Sequence, residues 1–151
     1  MAFKAVLIGQ QNVGKTTIFN LLTSSHRHVG NWHGVTTTIA ESKARNGLSI
    51  VDLPGVDNLY LVENEHPEQK VTHQFITANF GPNDYQQNII HHYIPVVVGD
   101  VNTIKATIDL TKQVIDLTKE AILVINKLDR AEKLGVKIDA IKLEKMLGCK
   151  V

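Results

Sequence analysis

Cysteine occurs once in the 151 residues, as Cys149. A single thiol excludes an intrachain disulfide and fits a reducing compartment. Long apolar runs are missing: none approaches the ~20 residues that a membrane helix requires. An excess of charge is missing too. Sixteen Lys and Arg against fifteen Asp and Glu leave a net charge of +1. That balance gives neither the broad basic footprint of a nucleic-acid binder nor an acidic surface, so no nucleic acid is expected as a partner. No signal peptide is expected, because Phe3 to Ile8 already reads as a strand. Repeats, linkers and low-complexity tracts are absent as well. The length suits one domain with a sizeable core.

What is present is an alternation of apolar strands and helical patterns. It predicts an α/β domain with a mostly parallel sheet and one antiparallel hairpin strand. Phe3 to Ile8 reads as a buried strand, and Lys15 to about Ser24 as a helix with Ile18, Leu21 and Leu22 on its apolar face. Val29 to Thr36 holds two glycines and a tryptophan without periodicity, and reads as a functional loop. Thr37 to Arg45 reads as an edge strand, Asn46-Gly47 as a hairpin turn and Leu48 to Val51 as the return strand. Asn64 to Glu68 reads as loop. Val71 to Thr77 reads as a short helix, and Tyr85 to His92 as another after a turn at Gly81 to Asp84. Pro95 to Asp100 reads as a short buried strand. Thr103 to Thr118 follows as an amphipathic helix, then Ala121 to Ile125 as a buried strand and Arg130 to Leu134 as a short helix. Asp139 is expected to cap a last helix that Gly148 ends. Cys149-Lys150-Val151 reads as the start of a further strand.

Between the first strand and first helix lies Gly9-Gln10-Gln11-Asn12-Val13-Gly14-Lys15-Thr16-Thr17. This is the spacing of a phosphate-binding loop. Its glycines let the backbone aim N–H groups at phosphate oxygens, and the helix start adds its own unpaired N–H groups. Lys15 reaches for the outer phosphates, and the Thr16 hydroxyl can ligate Mg²⁺. Asp52-Leu53-Pro54-Gly55 follows a strand. Alone it also describes an ordinary strand-end turn. After a phosphate loop, Asp52 can support Mg²⁺ and the Gly55 N–H can meet a terminal phosphate. Asn126-Lys127-Leu128-Asp129 follows the last complete strand. The Asp129 carboxylate can accept two hydrogen bonds from guanine, and adenine presents the wrong donors. Lys127 can lay its stem along the base, and Asn126 can tie the loops together. Thr36, directly after Gly34-Val35, can supply a second hydroxyl to Mg²⁺ when a γ-phosphate holds the loop closed.

Together these segments resemble the translation-factor-like branch of Ras-type GTPases. More narrowly, they resemble the cytosolic G domains of ferrous iron transporters of the FeoB family. Val29-Gly30-Asn31-Trp32-x-Gly34-Val35-Thr36, Asp52-Leu53-Pro54-Gly55 and a phosphate loop running into Thr-Thr-x-Phe-Asn carry the narrower likeness. It extends over nearly the whole chain and is weakest between Asn58 and His92. The resemblance implies a three-layer, Ras-like P-loop domain over residues 1–151, with GTP and GDP as ligands. It implies hydrolysis of GTP to GDP and phosphate, slow and potassium-stimulated, with Asn12, Lys15, Thr36 and Gly55 in catalytic roles. Mg²⁺ would be held by Thr16, Thr36 and Asp52, and K⁺ by Asn12 with the carbonyls of Gly30 and Trp32. The family couples such a domain to ferrous iron uptake through a membrane domain, which places it at the cytoplasmic face of the bacterial inner membrane.

The chain departs from the family pattern in several places. Gln11 and His33 stand where prolines are usual. A Ser-Ala pair that completes base recognition does not occur before Val151, so the last strand and helix of the domain are expected to be missing. Val56 stands where many Ras-type enzymes carry a water-orienting glutamine, which gives a monovalent cation something to replace. Without the resemblance, Asn12 is equally well read as a turn residue. The seven histidines, among them His26, His28, His91 and His92, lack neighbouring ligands at metal spacing and are expected at the surface. Two other readings use the same motifs: a soluble GTPase of ribosomes or tRNA, and a nucleotide-binding module without efficient hydrolysis.

Overall fold

Ala5, Val6, Leu7 and Ile8 are all buried, as a continuous apolar run in the middle of a parallel sheet has to be. In the computed structural model, which describes residues 2–23, 28–31, 38–60, 66–80 and 91–151, they belong to β1 (Ala2–Ile8). The other strands are β2 (His28–Asn31), β3 (Thr38–Lys43), β4 (Ser49–Asp52), β5 (His91–Asp100) and β6 (Ile122–Asn126). They form one sheet in the order β2-β3-β4-β1-β5-β6. β1 pairs in parallel with β4 and β5, and β5 with β6. Among the described residues only β3 runs against its neighbours, antiparallel to both β2 and β4. The register sets Leu7 beside Asp52, Ile8 beside Val97 and Asp100 beside Asn126. The carboxyl ends of β1, β4, β5 and β6 therefore meet along one edge, where ligands bind in sheets of this kind.

Strand alternation divides the core into two layers of contact. Ala5, Leu7, Ile50 and Val98 face one way and pack on Phe19 of α1 (Lys15–Leu22). Val6, Ile8, Val51, Val97 and Leu123 face the other way. There they meet Val71, Phe75 and Ile76 of α2 (Pro67–Phe80) and Leu110 and Val114 of α3 (Ile104–Thr118). Fully burying Phe19 or Phe75 contributes on the order of 1.5–3 kcal/mol each. The short helices α4 (Leu128–Lys133) and α5 (Ala140–Leu147) follow β6. Asp139 caps α5 through a hydrogen bond from the Lys142 N–H, and Gly148 ends it in the left-handed region at φ 70°, both as the sequence predicts. Lys150 bridges to Ile122 in parallel, so the expected strand start at Cys149 to Val151 lies beside β6.

Several boundaries differ from the sequence expectations. His91 and His92 do not end a helix: they open β5, paired with Ala2 and Phe3. The length of β1 supplies a pairing partner that local pattern cannot reveal. The remainder of that expected helix lies outside the described residues. Within β5, Pro95 pairs with Val6 while the β6 ladder begins only at Val96. The missing N–H thus falls where β5 is paired on one side only. Pro67 is not loop but the first residue of α2, a position where its fixed φ is favourable and its absent N–H costs nothing. The stretch from Val29 is not all loop, because residues 28–31 form β2, and β3 is consequently not an edge strand. Between β3 and β4 the Ala44 N–H donates to Leu48 O, so the hairpin closes around residues 45–47, with Gly47 at φ 86°. On α1, Leu21 and Leu22 are 75% and 44% exposed. The inward stripe runs through positions 15, 18 and 19, so Phe19 takes the burial that Leu21 was expected to share.

Candidate functional site

The loop after β1 is shaped by close approaches. A Cβ at Gly9 would collide with Val98 O of β5. Gly14 has φ 98°, and a Cβ there would strike the Asn126 side-chain amide. Asn12 also takes the left-handed region, at φ 61°, which asparagine tolerates better than most residues. Val13 turns into the core, 3% exposed, while Gln11, Asn12, Thr16 and Thr17 stay exposed. Gly14 precedes α1, whose first turn has no side-chain cap and no acidic residue, which leaves its N–H groups to an anion.

Lys15 is 8% exposed. Its Nζ donates to Gly9 O at 3.0 Å and to Gln10 O at 2.8 Å. Burial lowers its pKa from the ordinary lysine value, and the nearby carboxylates of Asp52 and Asp57 oppose that shift. Thr16 Oγ1 donates to Asp52 Oδ2 at 3.1 Å, so the two expected magnesium ligands of the described region stand together. A hydroxyl and a carboxylate beside a lysine fit a hard divalent cation bound with phosphate.

The Asp52-Leu53-Pro54-Gly55 segment lies along the same loop. Leu53 N–H donates to Leu7 O at 3.3 Å, and its side chain is core. Pro54 O accepts from Thr72 Oγ1 of α2 at 2.7 Å. Gly55 passes so close to Gln11 that a Cβ would strike it. Val56 N–H donates to Gly9 O at 3.0 Å, and the Val56 side chain is 1% exposed. The position after Gly55 is thus spent on the core and offers no polar atom to a nucleophilic water.

The turn after β6 closes the site. Asn126 Nδ2 donates to Val13 O at 3.0 Å. Lys127, at φ 61°, donates from Nζ to Asn12 O and to Asp100 Oδ2, each at 2.6 Å. Asp129 stands exposed in the first turn of α4, available to a base. A polar cleft of about 490 Å³ opens beside the loop, with Gln10, Asn12, Asp57, Gln69 and Lys127 in its walls.

Asp100, Asp57, Gln69 and Thr72 were not marked by the sequence. Asp100 ends a buried strand as a lone acid, and only the fold shows that Lys127 answers it. Gly30 pairs with Ile39 in β2. Trp32, Gly34, Val35 and Thr36 lie outside the described residues. Among the described residues, no three His, Cys, Asp or Glu side chains converge as a metal site, and no helix is long and apolar enough to cross a membrane.

A family model described as "Ferrous iron transport protein B" matches residues 3–151. The chain belongs to the FeoB family. The Fe(2+) transporters FeoB of Legionella pneumophila (strain Lens) and Escherichia coli (strain K12) are each 35% identical to it, over 151 and 150 residues. Those matches take in 97% and 96% of the chain but only 19% and 18% of the transporters, so the chain spans less than a fifth of their length. Among solved structures, the G domain of T. maritima FeoB is similar with a TM-score of 0.78 at 29% identity, over 100% of this chain and 86% of that one. A point mutant of S. thermophilus NFeoB bound to GDP gives a TM-score of 0.83 at 30% identity, over 100% of this chain and 54% of that one. Another mutant, bound to GMPPNP, gives 0.76 at 29% identity, over 100% and 54%. The architecture expected from the sequence, a mostly parallel sheet with one antiparallel strand and helices on both faces, is that of FeoB G domains.

Proposed function

We propose that this chain is a guanine-nucleotide switch that binds GTP and hydrolyses it to GDP and phosphate, and that residues 1–151 are the GTP-binding unit of a ferrous iron transporter. The observation that carries the reading is the hydrogen bond from Asn126 to Val13 O. It joins the segment suited to a guanine base to the loop suited to phosphates, on one sheet edge. In this reading the loop amides of residues 9–17 and Lys15 hold the phosphates, and Asp129 selects guanine. Thr16 and Asp52, joined by Thr36, hold Mg²⁺. Asn12, with the carbonyls of Gly30 and Trp32, holds K⁺. Bound Mg²⁺ and K⁺ offset the charge that develops on the phosphate oxygens. The Gly55 N–H meets the γ-phosphate. Burial of Val56 leaves the attacking water without a side chain from the position that often orients it, so turnover is slow and potassium-stimulated. A membrane domain that carries ferrous iron is the partner, with this unit at the cytoplasmic face of the bacterial inner membrane.

Phosphate release from GTP, followed under single-turnover conditions in potassium and in sodium salts, tests the reading. Release in both, faster in potassium, is expected. Nucleotide binding without release would reduce the chain to a binding module. Equal rates would remove the potassium site.

A further inference from the structure

The geometry points to Asp57 as a residue that discriminates nucleoside triphosphates from diphosphates, a specificity that rests on the nucleotide reading above. Asp57 Oδ1 accepts from Gln10 Nε2 at 3.2 Å, and Oδ2 accepts from Gln69 Nε2 at 3.4 Å. Gln10 belongs to the phosphate loop, and its carbonyl is one of the two that Lys15 holds. Gln69 stands in the first turn of α2. One carboxylate therefore joins the loop that receives phosphates to the helix that follows Gly55. Its hold is reinforced on the same side, where Val56 N–H donates to Gly9 O at 3.0 Å.

Asp57 is also a charge in the wrong place for a γ-phosphate. It acts on the buried Lys15 ammonium through space, as Asp52 does. The two acids are not equivalent. Asp52 meets the Thr16 hydroxyl, where a bound divalent cation would offset it. Asp57 meets only neutral amides among its hydrogen-bond donors here, Gln10 and Gln69. A terminal phosphate delivered to Lys15 and Gly55 brings like charge towards Asp57. A diphosphate ends one group short of that position. The repulsion weakens the carboxylate's hold on Gln10 and Gln69 only when the third phosphate is present. The start of α2 is thus latched in the diphosphate state and released in the triphosphate state. Because Asp57 is exposed, the effect is modest and sensitive to salt.

Binding of fluorescent GDP and of a fluorescent non-hydrolysable GTP analogue to the native chain, Asp57→Asn, Asp57→Ser and Gln69→Leu tests this. Both Asp57 variants are expected to tighten the triphosphate relative to the diphosphate by about fivefold at low salt. The gain shrinks at high salt. Gln69→Leu, which removes one arm of the latch and keeps the charge, shifts the ratio in the same direction but by less than either Asp57 variant. An unchanged ratio in both Asp57 variants, with native-like melting, overturns the assignment and leaves the nucleotide reading intact. Failure of the native chain to bind either nucleotide overturns both.

Discussion

The ammonium of Lys127 lies 2.6 Å from Asp100 Oδ2 and 2.6 Å from Asn12 O, so one side chain clamps the phosphate loop to the end of β5. Asp100 is a buried acid. Burial works to raise its carboxyl, but the hydrogen bonds from Lys127 and from the Asn102 backbone and side chain outweigh burial and hold it below the usual carboxylate range. A folded-state value below the unfolded ~3.9 means that the pair stabilises fully above that pH. The contribution is lost as pH falls through the lower folded value. Asp100→Asn should therefore cost about 2 kcal/mol at neutral pH, less than the roughly 3–5 kcal/mol of a fully buried pair. Denaturant melts of native and variant chains should converge as pH is lowered below about 4. A difference that persists in acid would show that the charge is not what matters.

Asp129 is exposed at the start of α4, and Asn126 beside it is tied to Val13 O. If Asp129 reads guanine, Asp129→Asn should shift binding from guanosine towards xanthosine nucleotides by about tenfold or more. Competition between GDP and XDP measures this. An unchanged preference would place the base elsewhere.

Asn12 gives its carbonyl to Lys127 and takes φ 61°. Glycine adopts that backbone freely, so Asn12→Gly removes the side-chain amide and keeps the loop. The variant is expected to melt close to the native chain and to hydrolyse GTP equally slowly in potassium and sodium. Retained potassium stimulation would assign the cation to other groups.

Gly14→Ala should be far more damaging than its size suggests. The new Cβ meets the Asn126 amide at a backbone φ of 98° that alanine rarely adopts. We expect a loss of about 2–3 kcal/mol in stability and no measurable nucleotide binding. Near-native binding by calorimetry would contradict the packing described above.

The motifs were legible because each is built from residues whose chemistry is local. A phosphate loop needs its glycines and its lysine in order, and Asp139 and Gly148 mark a helix by caps alone. What escaped notice depends on partners distant in sequence. Asp100 is an acid at a strand end until Lys127, on the next strand's turn, is folded against it. β2 is four residues, His28–Asn31, with Val29 its one aliphatic side chain, so no alternation announces it. The start of β5 is written in histidines and becomes strand because β1 is long enough to pair with it. Leu21 advertises a buried face that the direction of α1, set by the loop before it, turns to solvent.

Gly55 is a single flexible link between two fixed points. The carbonyl before it is held by Thr72 on α2, and the amide after it is held by Gly9. Three and four residues beyond Val56's own position the chain is pinned again, to α3, where Gln113 Oε1 accepts from Leu59 N–H at 2.7 Å and Asp116 from the Tyr60 hydroxyl at 2.9 Å. Between Pro54 and Tyr60 the chain is thus tied to the loop after β1, to α2 and to α3. A displacement at Gly55 therefore pulls on ties at both of its ends. It surfaces as a tilt of α2 or a tug on α3, on the side of the sheet opposite α1.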